Sequence, residues 1–392
     1  MAKSIKLHIK DFGPIHEADL DIRPLTVFIG RNDTGKSYAA MLLYSLIKAH
    51  MISKAKRSKY ESMKLKEYLK NSITKQIERI FDNYLEELVN KNSKDMKMQF
   101  TFKVDSKGYD FLISKDQTNI QLFDDTKLED LVFKRDTILL PSSRSGLLQT
   151  YLLIEAERIK DESELVETDL PKEYPLPGNI ADFIYLLLKY SIKQIGENEE
   201  LIKRFEKILG GKIMSELGRL YFHDERYGLD IDINKASSGI QELTPLYLVI
   251  KHFDLKNLML IIEEPEAHLH PELIINMTRV LTWLVRKGAY VIITTHSDYL
   301  FSKLNLLIKL SKVDKDKRVK LGYTEDEYLK PDEVSAYLFK YSQELRSSIA
   351  EKLTVGDEGV PEDEFADIVI EIKNEYVKVD LYEGREDSYT RE

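Results

Sequence analysis

A short apolar segment that runs directly into a glycine-containing loop constrains the fold of this 392-residue sequence more than any other feature. The segment Leu25 to Ile29 has the composition of a buried strand, and residues 38–50 beyond the loop have the composition of a helix. The loop between them fits the pattern G-x-x-x-x-G-K-S and consists of Gly30, Arg31, Asn32, Asp33, Thr34, Gly35, Lys36 and Ser37. Strand, loop and helix in this order predict an α/β fold with a phosphate-binding loop.

The phosphate loop, residues 30–37, predicts ATP and Mg²⁺ as ligands. Its glycines let successive backbone N–H groups curl around phosphate, and the N-terminus of the following helix adds a favourable dipole. We expect Lys36 to neutralise the β- and γ-phosphates and the hydroxyl of Ser37 to bind Mg²⁺. Tyr38, the next residue, completes the predicted nucleotide-binding set.

A second apolar segment ends in two adjacent carboxylates. Residues 258–262 have the composition of a buried strand, and Glu263 and Glu264 follow it. In a parallel sheet such a strand end lies at the same edge as the phosphate loop. We therefore expect Glu263 to hold Mg²⁺, directly or through water, and Glu264 to orient and polarise the attacking water. The alternative is a solvated acidic strand end.

A third apolar segment, Tyr290 to Thr295, predicts another strand of the same sheet, and His296 stands at its end. A polar side chain there can reach the γ-phosphate, so we expect His296 to take part in catalysis. An isolated histidine is more often structural, but the position of His296 about thirty residues beyond Glu264 favours the catalytic interpretation.

The segment 237–242, Ser-Ser-Gly-Ile-Gln-Glu, precedes a predicted helix and offers a second anion site. Small residues and free N–H groups at a helix start bind anions, although an ordinary N-cap is the simpler explanation. Because the chain already has one phosphate loop, we expect this segment to complete the ATP site of a second subunit.

The remaining patterns predict a core with two additions. Residues 5–9 and 18–22 alternate as in a β-meander, and residues 240–294 alternate helix and strand as in a parallel sheet. Further helices are predicted over 146–161 and 179–209, and a strand over 227–233. The predicted domains are a core of residues 1–51 and 136–305, an insertion of a helical arm and β-hairpin over 52–135, and a mixed C-terminal extension over 306–392 with an acidic tail.

The composition limits which binding partners and which cellular compartment we expect for this protein. The net charge of −9 argues against a uniformly basic nucleic-acid-binding surface, and the absence of cysteine excludes disulfides and thiolate metal sites. No apolar stretch is long enough to cross a membrane. We therefore expect a cytoplasmic protein without a membrane span.

The order of these motifs resembles that of the ABC ATPases. More narrowly, the phosphate loop, Ser-Ser-Gly-Ile-Gln, Ile-Ile-Glu-Glu-Pro-Glu-Ala-His-Leu-His-Pro and Thr-Thr-His-Ser resemble the AAA-15/AAA-21 group. That group includes the ATPase domains of the OLD family and is related to RecF and SMC heads. The resemblance implies an ABC-type P-loop fold with an N-terminal β-meander, a central and mostly parallel sheet, and a helical and β insertion.

The resemblance also assigns site residues. It implies a head-to-head dimer that forms around ATP, in which the γ-phosphate held by one subunit is contacted by the signature residues Ser238, Gly239 and Gln241 of the other. It matches His296 to the switch histidine and places His268 and His270 in the loop after the acidic strand end. Arg144 or Gln149 falls in the Q-loop region. Glu263 stands where aspartate is more usual.

The expected function is an ATPase whose nucleotide cycle drives a conformational change, acting on DNA or on a separate nuclease or toxin in genome maintenance or in defence against mobile elements. The step to DNA depends on the resemblance alone. The OLD nucleases continue into a Toprim domain, of which residues 381–387 carry only a faint trace. The alternatives are an ATPase subunit of a transporter and an ATP-binding regulatory switch with little turnover.

Overall fold

The computed structural model describes residues 4–55, 62–114, 117–123, 135–150, 176–192, 198–216 and 219–361. Its strands, in chain order, are β1 (Ile5–Phe12), β2 (Ile15–Ile22), β3 (Leu25–Ile29), β4 (Lys97–Val104), β5 (Lys107–Ser114), β6 (Gln117–Leu122), β7 (Asp136–Leu140), β8 (Gly211–Glu216), β9 (Arg219–Asp224), β10 (Leu229–Asp232), β11 (Leu258–Glu263), β12 (Tyr290–Thr295), β13 (Val334–Ser342) and β14 (Ser347–Leu353). Its helices are α1 (Lys36–Ala55), α2 (Ser62–Phe81), α3 (Gly178–Ile192), α4 (Glu199–Leu209), α5 (Ser238–His252), α6 (Pro271–Arg286), α7 (Asp298–Lys309) and α8 (Lys315–Lys320).

Eleven strands form one sheet in the order β6-β5-β4-β1-β2-β14-β13-β3-β12-β11-β7. At one end, β13, β3, β12, β11 and β7 are parallel to one another. At the other end, the meander β1–β2 and strands β4, β5 and β6 are antiparallel. The predicted α/β fold is thus confirmed, and the parallel strands form the part of the sheet that carries the phosphate loop.

The parallel strands are apolar because both faces of the sheet are covered. Every residue of β3, β11 and β12 is buried. Since alternate residues point to opposite faces, Val27 belongs to the core beneath α5, α6 and α7, whereas Phe28 belongs to the core beneath α1. This two-sided burial explains the continuous apolar runs in the sequence.

The longest described helices, α1 and α2, have 20 residues each. The buried side chains Leu69, Ile73 and Ile77 of α2 recur at helical spacing and join the same core as α1.

Within the described ranges, no helix combines the length and apolar content that crossing a bilayer requires.

Strands from all three predicted domain ranges share the large sheet. Strand β4 pairs with β1, so the predicted insertion extends the N-terminal meander. Strands β13 and β14 lie between β3 and β2, so they complete the middle of the sheet. The domain division stays a prediction. The acidic tail and residues 381–387 lie outside the described residues, as does most of the predicted helix 146–161.

A separate three-stranded sheet of β8, β9 and β10 comes before α5. The sequence pattern predicts one strand over 227–233 but not β8 and β9. The helix predicted over 179–209 corresponds to α3 and α4 in the structure. Helix α4 ends at Gly210, whose φ of 71° is left-handed, and β8 starts at the next residue.

Strand β13 passes very close to the start of the phosphate loop. Gly30 has a φ of 140°, and a Cβ at this position would lie 2.2 Å from the carbonyl oxygen of Phe339. Glycine is therefore required both by the backbone conformation and by the neighbouring strand. The loop and the C-terminal strands of the sheet constrain each other sterically.

We expect Gly30→Ala to lower the free energy of unfolding by about 1–3 kcal/mol, because the backbone is strained and the methyl group displaces β13 or the loop. Chemical denaturation measures this change. Gly146→Ala is the matched control, since a Cβ there would meet no atom within 4 Å. Equal stability of the two variants would contradict the expected steric conflict.

Candidate functional site

The phosphate loop joins β3 to α1 as predicted. Its conformation depends on left-handed backbone at Asp33 (φ 63°) and Gly35 (φ 95°). The ammonium of Lys36 donates hydrogen bonds to the carbonyl oxygens of Gly30 and Arg31, both at 2.7 Å. Burial lowers the pKa of Lys36, and the nearby carboxylates, Glu264 foremost, oppose that shift. The loop therefore places the ammonium of Lys36 beside the acidic strand end.

Glu263, the last residue of β11, meets the first turn of α1. Its buried carboxylate lies close to the hydroxyl of Ser37. Burial raises the pKa of Glu263 and the charge of Glu264 adds to this, whereas the nearby hydroxyl of Ser37 lowers it. A carboxylate and a hydroxyl are oxygen ligands suited to Mg²⁺, and a divalent cation would offset the unfavourable burial of the negative charge. These two residues fit the predicted metal site.

Glu264 has a left-handed backbone, with a φ of 45°. Its N–H donates to the carbonyl oxygen of Thr294 at 2.9 Å, which fixes this conformation at the end of the neighbouring strand. The side chain lines the same cleft as Lys36. Nδ1 of His296 lies 3.8 Å from Oε1 of Glu264, so the two predicted catalytic residues are close together.

Glu266 was not predicted as a site residue, although it repeats the carboxylate two positions after Glu264. Its Oε1 accepts hydrogen bonds from the hydroxyl of Thr295 at 2.6 Å and from the backbone N–H of His296 at 3.0 Å. Among the described residues, no group is hydrogen-bonded to its buried Oε2. Glu266 thus positions the segment that carries His296.

Arg144 is buried at the carboxyl end of β7, where it binds the backbone of the acidic strand end. Its guanidinium donates to the carbonyl oxygens of Glu263 at 2.6 Å, Glu264 at 3.0 Å and Pro141 at 2.9 Å. Nε lies 3.1 Å from the buried carboxylate of Glu242 on α5. Burial lowers the pKa of Arg144, and the surrounding carboxylates, led by Glu242, oppose this. Arg144 thus connects α5 to the acidic strand end.

The carboxylate of Glu242 contacts two further residues, Ser145 and His268. Its Oε1 accepts hydrogen bonds from the backbone N–H of Ser145 at 3.0 Å and from the hydroxyl of Ser145 at 2.7 Å. The same oxygen lies 3.1 Å from Nδ1 of His268, whose backbone is left-handed at a φ of 58°. His270 caps α6 by accepting from the N–H of Glu272. The two predicted loop histidines therefore have structural partners inside the chain.

The signature residues stand at the start of α5. Ser237 caps the helix, Ser238 is exposed in its first turn, and a Cβ on Gly239 would lie 3.0 Å from Leu273. Gly239 thus keeps the helix start close to α6.

Gln241, the third predicted signature residue, is hydrogen-bonded inside its own chain. Only 3% of Gln241 is exposed, and its amide donates at 3.0 Å to the carbonyl oxygens of Asn234 and Ala236. Its carbonyl oxygen accepts from Gln149 at 2.8 Å. Gln241 thus supports the signature turn from inside the chain, and its contact with the partner's phosphate stays a prediction. Gln149 supports the signature turn through its hydrogen bond to Gln241.

A cleft of about 820 Å³ opens above the phosphate loop. Asn32 to Tyr38 line it together with Glu264, whereas Ser238 and Gly239 do not. The ring of Tyr38 packs against those of Phe12 and Phe81, and Tyr38 is one of the residues that line the cleft. The signature segment of this chain is therefore not part of the cleft over its own phosphate loop.

We expect Glu242→Met to lower the free energy of unfolding by about 3–5 kcal/mol, because it leaves the guanidinium of Arg144 buried without its partner. Chemical denaturation measures the loss. Glu200→Met is the control, since Glu200 pairs with Arg204 at the surface and such pairs contribute about 1 kcal/mol or less. A similar effect of both variants would show that the buried pair does not stabilise the fold.

Solved structures of SMC heads resemble this fold. An SMC head bound to the C-terminal winged-helix domain of ScpA has a TM-score of 0.50 at 12% identity, over 89% of this chain and 97% of that chain. The SMC head domain from Thermotoga maritima has a TM-score of 0.46 at 11% identity, over 90% of this chain and 99% of that chain. At such identities the likeness concerns the fold alone.

Sequence comparison identifies the family. Among curated proteins, no significant match to the sequence was found. The sequence model of the AAA_15 family, described as an AAA ATPase domain, matches residues 4–174 and 154–301. These matches together span the phosphate loop, the signature segment, the acidic strand end and His296, and so the chain belongs to the AAA_15 family of AAA ATPase domains.

Proposed function

We propose that this protein binds ATP with Mg²⁺ and hydrolyses it. The observation that carries the proposal is the proximity of the Ser37 hydroxyl to the buried Glu263 carboxylate, which brings the phosphate loop next to the acidic strand end. Lys36 and Glu264 line one cleft beside it, so a phosphate-binding cation and a candidate base face the same space. Membership of an ATPase family supports this interpretation.

Each side chain has a distinct role in this proposal. The loop amides and Lys36 bind the β- and γ-phosphates, and Ser37 and Glu263 hold Mg²⁺. The bound metal neutralises charge that develops on the phosphate oxygens. Glu264 orients water in line with the γ-phosphate and accepts its proton. His296 contacts the γ-phosphate, with its backbone held by Glu266.

A second subunit completes the proposed site. Exposed Ser238 and buried Gly239 stand in the first turn of a 15-residue helix, outside the cleft of their own chain. A helix N-terminus favours an anion, so we propose that these residues contact the γ-phosphate held by a partner copy. The dimer would form around ATP with two equivalent sites.

We further propose that the nucleotide cycle drives a conformational change in genome maintenance or in defence against mobile elements, in the cytoplasm. The solved SMC head has a ScpA domain bound to it, and we propose that this chain likewise works with a separate partner. DNA, a nuclease or a toxin is the proposed target. Stimulation of ATP hydrolysis by duplex DNA would support the DNA-linked role.

We expect Glu264→Gln to lower kcat by about 10²–10⁴ while ATP still binds, because the amide cannot accept a proton. Lys36→Ala should abolish ATP binding itself. Steady-state hydrolysis and calorimetric titration with Mg²⁺–ATP, each with and without duplex DNA, measure both effects. Glu199→Gln, an exposed carboxylate on α4, is the control. Wild-type ATP binding without turnover, unchanged by Glu264→Gln, would indicate a regulatory switch instead.

We expect two inactive variants to restore hydrolysis when mixed. Lys36→Ala disables a chain's own phosphate loop, whereas Ser238→Arg disables the signature segment it presents to its partner. A mixed dimer then has one site with neither defect. Hydrolysis assays of each variant alone and of the mixture test this. If the mixture stays inactive although analytical ultracentrifugation shows mixed dimers, the proposed exchange between subunits is wrong.

A further inference from the structure

The cleft extends well beyond the phosphate loop. One wall consists of residues 32–38, and the opposite wall consists of Asn83, Glu87, residues 89–92, Tyr341 and residues 346–348. A volume of about 820 Å³ lies in the range of small-molecule sites. The phosphates need only the wall formed by the loop. The opposite wall, which we call the outer wall, is left without a role by the proposed hydrolysis chemistry.

Hydrogen bonds hold the outer wall in place. The N–H of Asn90 donates to the carbonyl oxygen of Asp11 at 2.8 Å, and the hydroxyl of Ser347 donates to the side chain of Asn90 at 3.2 Å. The amide of Asn92 donates to the carbonyl oxygen of Arg346 at 2.6 Å. These bonds connect the segment 83–92 to the meander and to the β13–β14 turn. The cleft is therefore preformed.

One aromatic side chain of the outer wall continues a buried aromatic row. Tyr337 and Phe339 pack edge-on against Phe28, with ring centroids 6.1 Å and 5.2 Å apart. Tyr341 follows at the same two-residue spacing, so it belongs to the same face of β13, the face that α1 covers. Unlike the other two, Tyr341 is 59% exposed and lines the cleft.

Strand register brings this ring beside the phosphate loop. Leu338 of β13 is paired with Ile29, the last residue of β3. Tyr341 lies three residues beyond Leu338 and lines the same cleft as residues 32–38 of the loop.

The outer wall also contains a charged side chain, that of Arg346. Arg346 has a left-handed backbone at a φ of 49° and lines the cleft next to Asn92. In the part of the chain that the structure describes, Arg346 forms no ion pair. An aromatic face with a guanidinium and amides nearby can bind a flat heterocycle by stacking and a sugar by hydrogen bonds.

We propose that the outer wall binds the nucleoside half of the nucleotide. The base stacks on the ring of Tyr341, and Arg346 donates to the oxygens of the ribose. This inference rests on the proposed binding of ATP at the phosphate loop. It makes the C-terminal β13–β14 hairpin part of the binding site and gives it a part in selecting nucleotides over free polyphosphate.

The test compares ATP with tripolyphosphate, which has no base and no sugar. Calorimetric titration with Mg²⁺ should show that Tyr341→Ala raises the Kd for ATP about tenfold, the effect expected for a lost stacking contact. The Kd for tripolyphosphate should stay unchanged. Tyr341→Phe should retain wild-type affinity for ATP. Tyr84→Ala is the control, since Tyr84 is 71% exposed beside the same segment but does not line the cleft.

The outcomes separate this inference from the proposed function. If Tyr341→Ala leaves the Kd for ATP within about twofold of wild type, or weakens both ligands equally, the nucleoside site is wrong while ATP binding stands. If the wild type binds tripolyphosphate and ATP with equal affinity, the outer wall makes no contact with the nucleoside. If the wild type binds neither ligand, the proposed ATP site itself fails.

Discussion

The buried guanidinium of Arg144 is the point where β7, the acidic strand end and α5 meet. A cation in this position has to be neutralised and hydrogen-bonded, which requires both the carboxylate of Glu242 and the carbonyl oxygens of Glu263 and Glu264. Glu242 in turn contacts His268. Any movement of the signature helix relative to the catalytic strand end would therefore break charged hydrogen bonds, so these parts are expected to move together.

Three of the nine left-handed non-glycine residues in the described parts of the chain lie around the same site. Asp33, Glu264 and His268 are non-glycine residues with left-handed φ values. Such residues cost about 1–3 kcal/mol each and persist only where neighbours fix them. Glu264 is fixed by Thr294, and His268 by Glu242. The fold thus holds the proposed reacting groups in place without a nucleotide, which would lower the reorganisation that the proposed hydrolysis needs.

Local patterns were enough to predict the α/β fold, the β-meander and the strands that end at Glu263 and Thr295, because their burial on two faces gives continuous apolar runs. The position of β13 beside β3 was not predictable, since strand pairing over some three hundred residues leaves no local periodicity. The predicted phosphate contact of Gln241 comes from the motif alone. Its hydrogen bond with Gln149 depends on tertiary packing, which the motif does not show. Glu266 was missed because its role is to bind the backbone of a distant segment.

The place of β13 between β14 and β3 has a consequence for biosynthesis. As the ribosome releases the chain, the phosphate loop appears early, but β13, the strand that abuts Gly30, is made some three hundred residues later. A nascent chain therefore exposes an unpaired edge of β3 until residues 334–342 have been made. The surroundings of the phosphate loop are completed only then, so chains that lack β13 should be good clients for chaperones.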